Sequence, residues 1–214
     1  MLTTLSDKLW FPHPNKANAD GLLAIGGDLS ISRLLLAYNS GVFPWYDETQ
    51  PLLWWSPDPR MVLYPRKFKV SKSLRKSLRS EKFKISVNQN FKEVIENCAS
   101  IKRKGQHGTW ITSEMIKAYI ELHEAGKALS VEVWDSSKLV GGLYGVDLPE
   151  KRVFCGESMF SLVSDASKVA FYYLSKCVQD LDYKLIDCQV YNPHLESLGA
   201  EKIDRSTFLE IISI

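Results

Sequence analysis

The chain of 214 residues is 45% hydrophobic and 24% charged with a net charge of +2, the proportions of one sizeable globular domain or of a domain with a smaller companion. No apolar run, Leu34–Tyr38 and Val169–Leu174 included, approaches the ~20 residues of a membrane span, and MLTTLSDKLW lacks the basic start and apolar core of a secretory leader, so no membrane partner is expected. Four scattered cysteines (Cys98, Cys155, Cys177, Cys188) without a C-x-x-C pair argue against a metal centre or a disulfide framework and fit a reducing cytoplasm.

The net charge conceals an asymmetry. Residues 1–60 carry four basic and six acidic side chains, 61–105 carry thirteen and three, and 106–214 carry ten and sixteen. A block of one sign draws polyanions in a salt-dependent way.

Residues 1–60 read as a small, turn-rich N-terminal domain, with a loop at FPHPNKANADG (11–21). Ser30 or Ser32 caps a short helix through Leu34, Leu35, Leu36 and Tyr38, closed by Gly41. WWSPDPR then runs as an extended connection, because its prolines forbid a helix. From 61 to 214 the pattern is regular and predicts a second, larger domain. It begins with a strand at 61–64, a basic helix from Ser71, an alternating strand at 82–87, and helical spacing at Phe91, Val94, Ile95 and Cys98. A helix from Thr112 or Ser113 buries Met115, Ile116, Tyr119 and Leu122 and stops at Gly126. Strands follow at 128–134, 138–147 and 151–157, then a helix of about 15 residues from near Ser164. A strand at 184–190, a short helix ending at Gly199 and a strand at 200–203 complete the order.

That order is the one of N-acetyltransferase-like folds, an α+β class with a mixed, mostly antiparallel sheet. Such a sheet splays between the strand before the long helix and the strand after it, here 151–157 and 184–190, and a ligand occupies the crevice. These two strands carry side chains that a buried strand ordinarily lacks. Glu157 lies among Phe154, Cys155, Gly156, Met159 and Phe160. Asp187 and Gln189 interrupt Leu185, Ile186, Cys188 and Val190. Burying a carboxylate without a partner is costly, and alternation puts Asp187 and Gln189 on one strand face. The alternative is a strand end at solvent, where an aspartate is harmless.

The stretch Arg66–Lys84 holds nine Lys/Arg and one Glu. Leu74 and Leu78 give its helix a narrow apolar seam, and Lys72, Arg75, Lys76 and Arg79 point away from it. A solvated helix face ordinarily mixes signs, so this one reads as a sequence-tolerant, phosphate-contacting surface. Trp45, Trp54, Trp55 and Trp110 fall in irregular segments. They suit either a cover for the core or a platform for unstacked bases, at ~1–3 kcal/mol per base. Leu143, Met159 and Phe160 read first as core, although methionine also adapts to a pocket of irregular apolar shape. His107, His123 and His194 show no ligand spacing and no nucleophile partner.

The strings GLLAIGGDLS (21–30), GVFPWY (41–46), LLWWSPDPR (52–60), CAS (98–100), GTWIT (108–112), VGGLYGV (140–146), CGESMF (155–160) and LIDCQV…N.H..SLGA (185–200) span nearly the whole chain. In their order and spacing the chain resembles the leucyl/phenylalanyl-tRNA–protein transferases. The resemblance implies transfer of leucine or phenylalanine from aminoacyl-tRNA to the α-amine of proteins with N-terminal Arg or Lys, which marks them for N-degron degradation. It implies no cofactor and no metal, because the ester is already activated. Gln189 would accept a hydrogen bond from the attacking amine, with Asp187 polarising and positioning it. Leu143 and Met159 would line the aminoacyl pocket, with Trp45 and Trp110 beside the terminal adenosine. Gly156, Glu157 and Ile186 complete the expected substrate-binding set, and Glu157 with Asp187 would make the acceptor end negative. Some members carry Met where this chain has Leu143, and some continue well beyond Phe208.

Two other classes account for parts of the pattern. An acetyl-CoA-dependent N-acetyltransferase on the same fold needs a glycine-rich turn after the 151–157 strand to cradle pyrophosphate, and SMFSLVSDAS supplies none. A non-catalytic RNA-binding module explains the basic helix but not the carboxylates of the crevice.

Overall fold

The computed structural model describes residues 2–101 and 109–213. The N-terminal part holds more than turns. β1 (Thr3–Leu5), β2 (Leu22–Gly26), β3 (Phe43–Pro44) and β4 (Leu53–Trp55) form a four-stranded sheet in the order β1-β2-β4-β3. Strands of two to five residues carry almost no periodicity, so the sequence pattern shows only the helix among them, α1 (Ile31–Asn39). Ser30 caps α1 by accepting the Arg33 N–H, and Gly41, at φ +75°, turns the chain out of it.

The rest is built on a seven-stranded sheet. Its strands and helices are β5 (Arg60–Leu63), α2 (Lys72–Arg79), β6 (Phe83–Val87), α3 (Phe91–Ser100), α4 (Ser113–Glu124), β7 (Ala128–Asp135), β8 (Lys138–Leu148), β9 (Val153–Ser161), α5 (Ala166–Asp180), β10 (Leu185–Gln189), α6 (Pro193–Ser197), β11 (Glu201–Ile203) and α7 (Arg205–Ser213). The spatial order is β11-β5-β10-β9-β8-β7-β6, with β10 and β9 parallel and every other neighbouring pair antiparallel. This is the mixed sheet of an N-acetyltransferase-like fold. Helix α7 has no counterpart in the sequence reading, although Phe208 and Ile212 stand four apart on its buried side.

One face of the large sheet packs Val131, Val133, Leu143, Phe154 and Ile186 under Val169, Ala170 and Leu174 of α5, with Leu74 of α2 in the same cluster. The other face joins Tyr144, Val146 and Cys155 to Val94, Ile95 and Tyr119 of α3 and α4, and the same cluster continues into Leu34, Phe43 and Trp54. The glycines of 140–146 permit close approach. A Cβ on Gly141 would lie 2.5 Å from the Cβ of Ala166, and one on Gly145 would lie 2.2 Å from the carbonyl oxygen of Cys155. Helix α5 and strand β9 can therefore close onto β8 only with glycine at both positions.

β10 pairs with β9 over only three positions, Leu185 with Val153, Ile186 with Phe154 and Asp187 with Cys155. Beyond that level β9 stays on β8 as far as Ser161, while β10 stops at Gln189. The strand expected to end at 157 thus runs four residues further, and Met159 and Phe160 belong to it. Each strand carries a bulge where they part. Gly145 pairs with Gly156 and Tyr144 with Ser158, which leaves Glu157 as the extra residue. Val62 pairs with Asp187 and Met61 with Gln189, which leaves Cys188 extra. Bulges interrupt alternation and re-aim side chains, yet Asp187 and Gln189 keep to one side of the sheet as expected, with partners in the cluster of Tyr38, Phe43, Tyr119 and Phe208, while Ile186 and Cys188 belong to the cluster under α5. Gln189 sits at φ +63°, and the two side chains go to different partners.

No helix among the described residues is long and apolar enough to cross a membrane.

Candidate active site

The parting of β9 and β10 opens a cavity of about 230 Å³. Its walls come from both sides of the sheet. Leu143, Phe154, Met159, Phe171, Leu174 and Ile186 supply the apolar side under α5, while Phe43, Pro44, Trp45 and Trp110 close the other side. Leu143 and Met159 are register partners on β8 and β9, so they form one continuous patch. Trp45 lies at the rim, 36% exposed, its ring centroid 5.7 Å from that of Trp55. The Trp55 Nε1–H donates to the Trp45 carbonyl oxygen at 2.6 Å. Trp54 is fully buried and donates to Gly26, a packing role. Gly156, Glu157, Ser158, Gln189 and Asn192 are polar or small residues of the wall. Of the residues singled out from sequence for the crevice, Asp187 alone does not line it.

Asp187 stays behind the cavity wall, fully buried. Its carboxylate accepts two hydrogen bonds from Arg60, 2.8 Å from Nε and 2.6 Å from Nη2, and both side chains are buried. The guanidinium also donates to the Gly41 carbonyl and lies between the rings of Phe43 and Phe208, 4.7 and 4.5 Å from their centroids. The third partner of Asp187 is the Gln189 backbone N–H, which donates to Oδ1 at 2.9 Å. That bond ties down a residue in the left-handed region, where a non-glycine side chain needs outside support. Asp187 is therefore charge-compensated, and the expectation that it makes the acceptor end negative is corrected.

Glu157 is held by three groups. The hydroxyls of Tyr38 and Tyr119 hydrogen-bond its Oε1 and Oε2 at 2.7 and 3.1 Å, and the Gln189 Nε2–H donates to Oε1 at 2.7 Å. Tyr38 and Tyr119 also hydrogen-bond each other. Among the described residues no cation is a partner of Glu157. Burial pushes its carboxyl up to about 7, against the lowering effect of its hydrogen bonds. Burial, reinforced by the adjacent carboxyl, raises both tyrosines well above their ordinary range. Glu157 is thus about half protonated at neutral pH, where an ordinary carboxyl is fully ionised. Among the described residues no three His, Cys, Asp or Glu side chains gather as a metal site.

Sequence reasoning missed Arg60, Tyr38 and Tyr119. Arg60 is the last residue of the WWSPDPR string, and an arginine leading into a buried strand was the available signal. The two tyrosines sit in helical apolar stripes, and their hydroxyls give no signal in a hydropathy pattern.

The basic residues lie elsewhere. Lys72, Arg75, Lys76 and Arg79 are all exposed and line a shallow groove with Ser80. Leu74 is fully buried, an anchor worth ~1.5–3 kcal/mol. None of the four is in a salt bridge among the described residues, whereas flanking Lys67 and Lys82 pair with Glu201 and Asp135. α2 abuts the start of α5, where the Ser77 hydroxyl donates to Asp165. Phe171, six residues along α5 and so about 9 Å further, reaches the cavity. The His123 Nδ1–H donates to the Ala128 carbonyl at 2.8 Å, and the ring stacks on Phe91, a structural position. His107 lies outside the described residues.

An N-acetyltransferase-like sheet, opened beside its parallel pair onto an apolar cavity with an amide and a carboxyl in its wall, defines an acyl-transferring class of protein. Sequence comparison narrows the class. The model of the leucyl/phenylalanyl-tRNA protein transferase matches residues 62–213, and the model of that protein's N-terminal domain matches 27–58. A leucyl/phenylalanyl-tRNA–protein transferase of Flavobacterium johnsoniae is 59% identical over 204 residues, 95% of this chain and 95% of its own length. One from Flavobacterium psychrophilum is 56% identical over 208 residues, 97% of this chain and 98% of its own. Among solved structures, L-PGS from Bacillus licheniformis overlays with a TM-score of 0.44 at 11% identity, covering 74% of this chain and 50% of that one. The chain belongs to the leucyl/phenylalanyl-tRNA protein transferase family, and it is an aminoacyltransferase.

Proposed function

We propose that the cavity between β9 and β10 receives the leucyl or phenylalanyl ester at the tRNA 3′ end, and that Gln189 presents the acceptor amine to it. The observation that carries this is the position of Gln189. Its Nε2 is committed to Glu157 and its backbone N–H to Asp187, so the side-chain oxygen is left as an acceptor in the cavity wall. A carboxamide holds no proton at neutral pH, and none is required. An α-amine of pKa about 7.7–8.0 is partly neutral already, and an aminoacyl ester needs only orientation and stabilisation of its oxyanion. Asp187 and Arg60 act behind Gln189 by fixing its backbone.

A cavity of about 230 Å³ lies below the ~300–1,000 Å³ of sites that enclose a drug-sized ligand. It suits one aminoacyl side chain against Leu143, Met159, Ile186 and Gly156. The terminal adenosine then rests outside, on Trp45 and Trp110. The groove of Lys72, Arg75, Lys76 and Arg79 meets phosphates of the tRNA body. The acceptors are proteins with N-terminal Arg or Lys, and the setting is the cytoplasm, where charged tRNA occurs. Residues 1–60 act as a small companion domain to the transfer domain of 61–214.

Two features speak against an acetyl-CoA enzyme. The turn before α5 has no glycine, and the Asp165 carboxylate stands at the helix start, paired with Lys168 at 2.8 Å, where a pyrophosphate would have to approach. A purely RNA-binding role leaves the enclosed Glu157–Gln189 cluster without a use. The test is Gln189→Ala. Transfer at saturating donor should fall by about 100-fold, the scale of a misplaced reacting group, while affinity for leucyl-tRNA stays within about twofold. Unchanged turnover would remove Gln189 from the mechanism.

A further inference from the structure

The hydrogen-bond cluster under Gln189 has a proton count that fixes its charge. Three oxygen–oxygen contacts close a triangle: Tyr38 to Glu157 Oε1, Tyr119 to Glu157 Oε2, and Tyr38 to Tyr119. Each contact needs one hydrogen between its two oxygens. The two tyrosines, both held neutral, bring two hydrogens. An ionised glutamate brings none, which leaves one edge as two lone pairs facing each other inside the protein. A protonated glutamate brings the third, and every edge is then satisfied in one direction around the ring.

Gln189 sets that direction. Its Nε2–H donates to Oε1 at 2.7 Å, so Oε1 is the carbonyl oxygen of the acid and Oε2 carries the proton. The acid then donates from Oε2 to the Tyr119 oxygen, Tyr119 donates to Tyr38, and Tyr38 donates to Oε1. We propose, resting on the transferase reading above, that Glu157 works as a neutral, protonated acid whose closed ring with Tyr38 and Tyr119 holds the Gln189 amide with its acceptor oxygen toward the incoming amine. Glu157 is then a positioning residue. It does not serve as the base, and it does not attract the acceptor by charge.

The surroundings agree with a neutral acid. Burial pushes the carboxyl up, as described above. From α1 and α4 it faces Tyr38 and Tyr119, with Tyr144 of β8 packed edge-on against the Tyr119 ring at 5.7 Å between centroids. On its own strand the nearby titratable group is Cys155, whose thiol burial raises well above its usual range. From β10 it feels Asp187, and that charge is compensated by Arg60. None of these supplies a cation to a Glu157 carboxylate.

Glu157→Gln tests the proposal, because the amide that it introduces repeats the proton pattern. Its oxygen accepts from Tyr38 and Gln189, and its N–H donates to Tyr119. Two readouts are taken on the full chain. The first is infrared difference spectroscopy of the free enzyme. A protonated-carboxyl C=O band should be present at about pH 6, decline by about pH 8.5 with the titration of a buried acid, and be missing from Glu157→Gln. The second is transfer of leucine from leucyl-tRNA. Glu157→Gln should stay within about tenfold of wild type in kcat, the scale of one altered hydrogen bond, and should show less loss at alkaline pH, whereas Glu157→Ala should fall by at least about 100-fold. If Glu157→Gln does not fold, the band is read in wild type as a difference between the two pH values. Absence of that band at about pH 6, or a 100-fold loss of kcat in folded Glu157→Gln with KM unchanged, overturns the proposal. The infrared readout needs no substrate, so a wild-type enzyme without transfer would sink the functional reading and leave this one to be judged by its band.

Discussion

Arg60→Met removes the cation from a carboxylate that is fully buried, with 1% and 0% of the two side chains exposed. The methionine stem keeps most of the packing between Phe43 and Phe208, so the loss is chiefly electrostatic. Breaking a buried pair from one side costs ~3–5 kcal/mol, a large part of the ~5–15 kcal/mol that separates folded from unfolded chains. Asp187→Asn should cost a similar amount, because it leaves the Arg60 guanidinium buried and unpaired. The double variant carries no buried charge, and the side-chain oxygen of the new amide still accepts the Gln189 N–H. It should therefore be more stable than the sum of the singles, by about 1–3 kcal/mol of coupling. Urea unfolding of the four proteins measures this directly. Transfer activity at a temperature where all are folded gives the second half of the test. The double variant should regain activity over Asp187→Asn, since Arg60 and Asp187 serve to hold Gln189. Additive stabilities would refute the pair. A stable double variant no more active than Asp187→Asn would show that the Asp187 charge acts on the reactants.

Met159→Ala removes wall from the cavity and should lower kcat/KM for leucine by about 10–200-fold, with phenylalanine hurt less because its ring fills part of the space; equal, negligible effects would move the aminoacyl pocket elsewhere. Changing Arg75, Lys76 and Arg79 together to Ala should weaken every charged tRNA alike and flatten the salt dependence by about 0.7–0.9 in log–log slope for each phosphate that is no longer neutralised, as read by filter binding across salt concentrations. Leucyl-adenosine should then react almost as with wild type, and a loss as great as that of tRNA would refute a phosphate surface. Stability should also depend on pH through Glu157. With a folded pKa of about 7 against an ordinary 4.5, the folded state binds more protons than the unfolded state between those values, so stability falls as pH rises through that window, by about 3 kcal/mol. Glu157→Gln should lack that fall in urea titrations from about pH 4.5 to 8, and an identical pH dependence in both proteins would refute the assignment.

Much of the fold is legible in the sequence because the long elements obey one period each. Helices α3, α4 and α5 and strands β6 to β8 fall within about two residues of their expected limits. The N-terminal sheet is not legible, because two- and three-residue strands such as Phe43–Pro44 are made by their partners rather than by their own pattern. The site is legible only in part, and the reason is local. Polar residues on apolar strands reveal Glu157, Asp187 and Gln189, and the cavity gathers Glu157 and Gln189 with Trp45, Trp110, Leu143, Gly156, Met159 and Ile186. What those side chains touch depends on two bulges. The extra residues, Glu157 and Cys188, lie where the strands part and set Gln189 against Glu157, while Asp187, still in register with Val62 and Cys155, meets Arg60. Hydropathy carries no record of such an insertion, nor of the tyrosine hydroxyls contributed by two helices more than 80 residues apart in the chain.

Intact-mass analysis of peptides incubated with enzyme and leucyl-tRNA tests the central claim most directly. An Arg-initiated peptide should gain the mass of one leucyl residue at its α-amine, a Lys-initiated one should do the same, and an Ala-initiated or N-acetylated control should not. Acetyl-CoA in place of leucyl-tRNA should leave all of them unchanged. Leucyl transfer to the N-acetylated peptide, or acetylation from acetyl-CoA, would contradict the account.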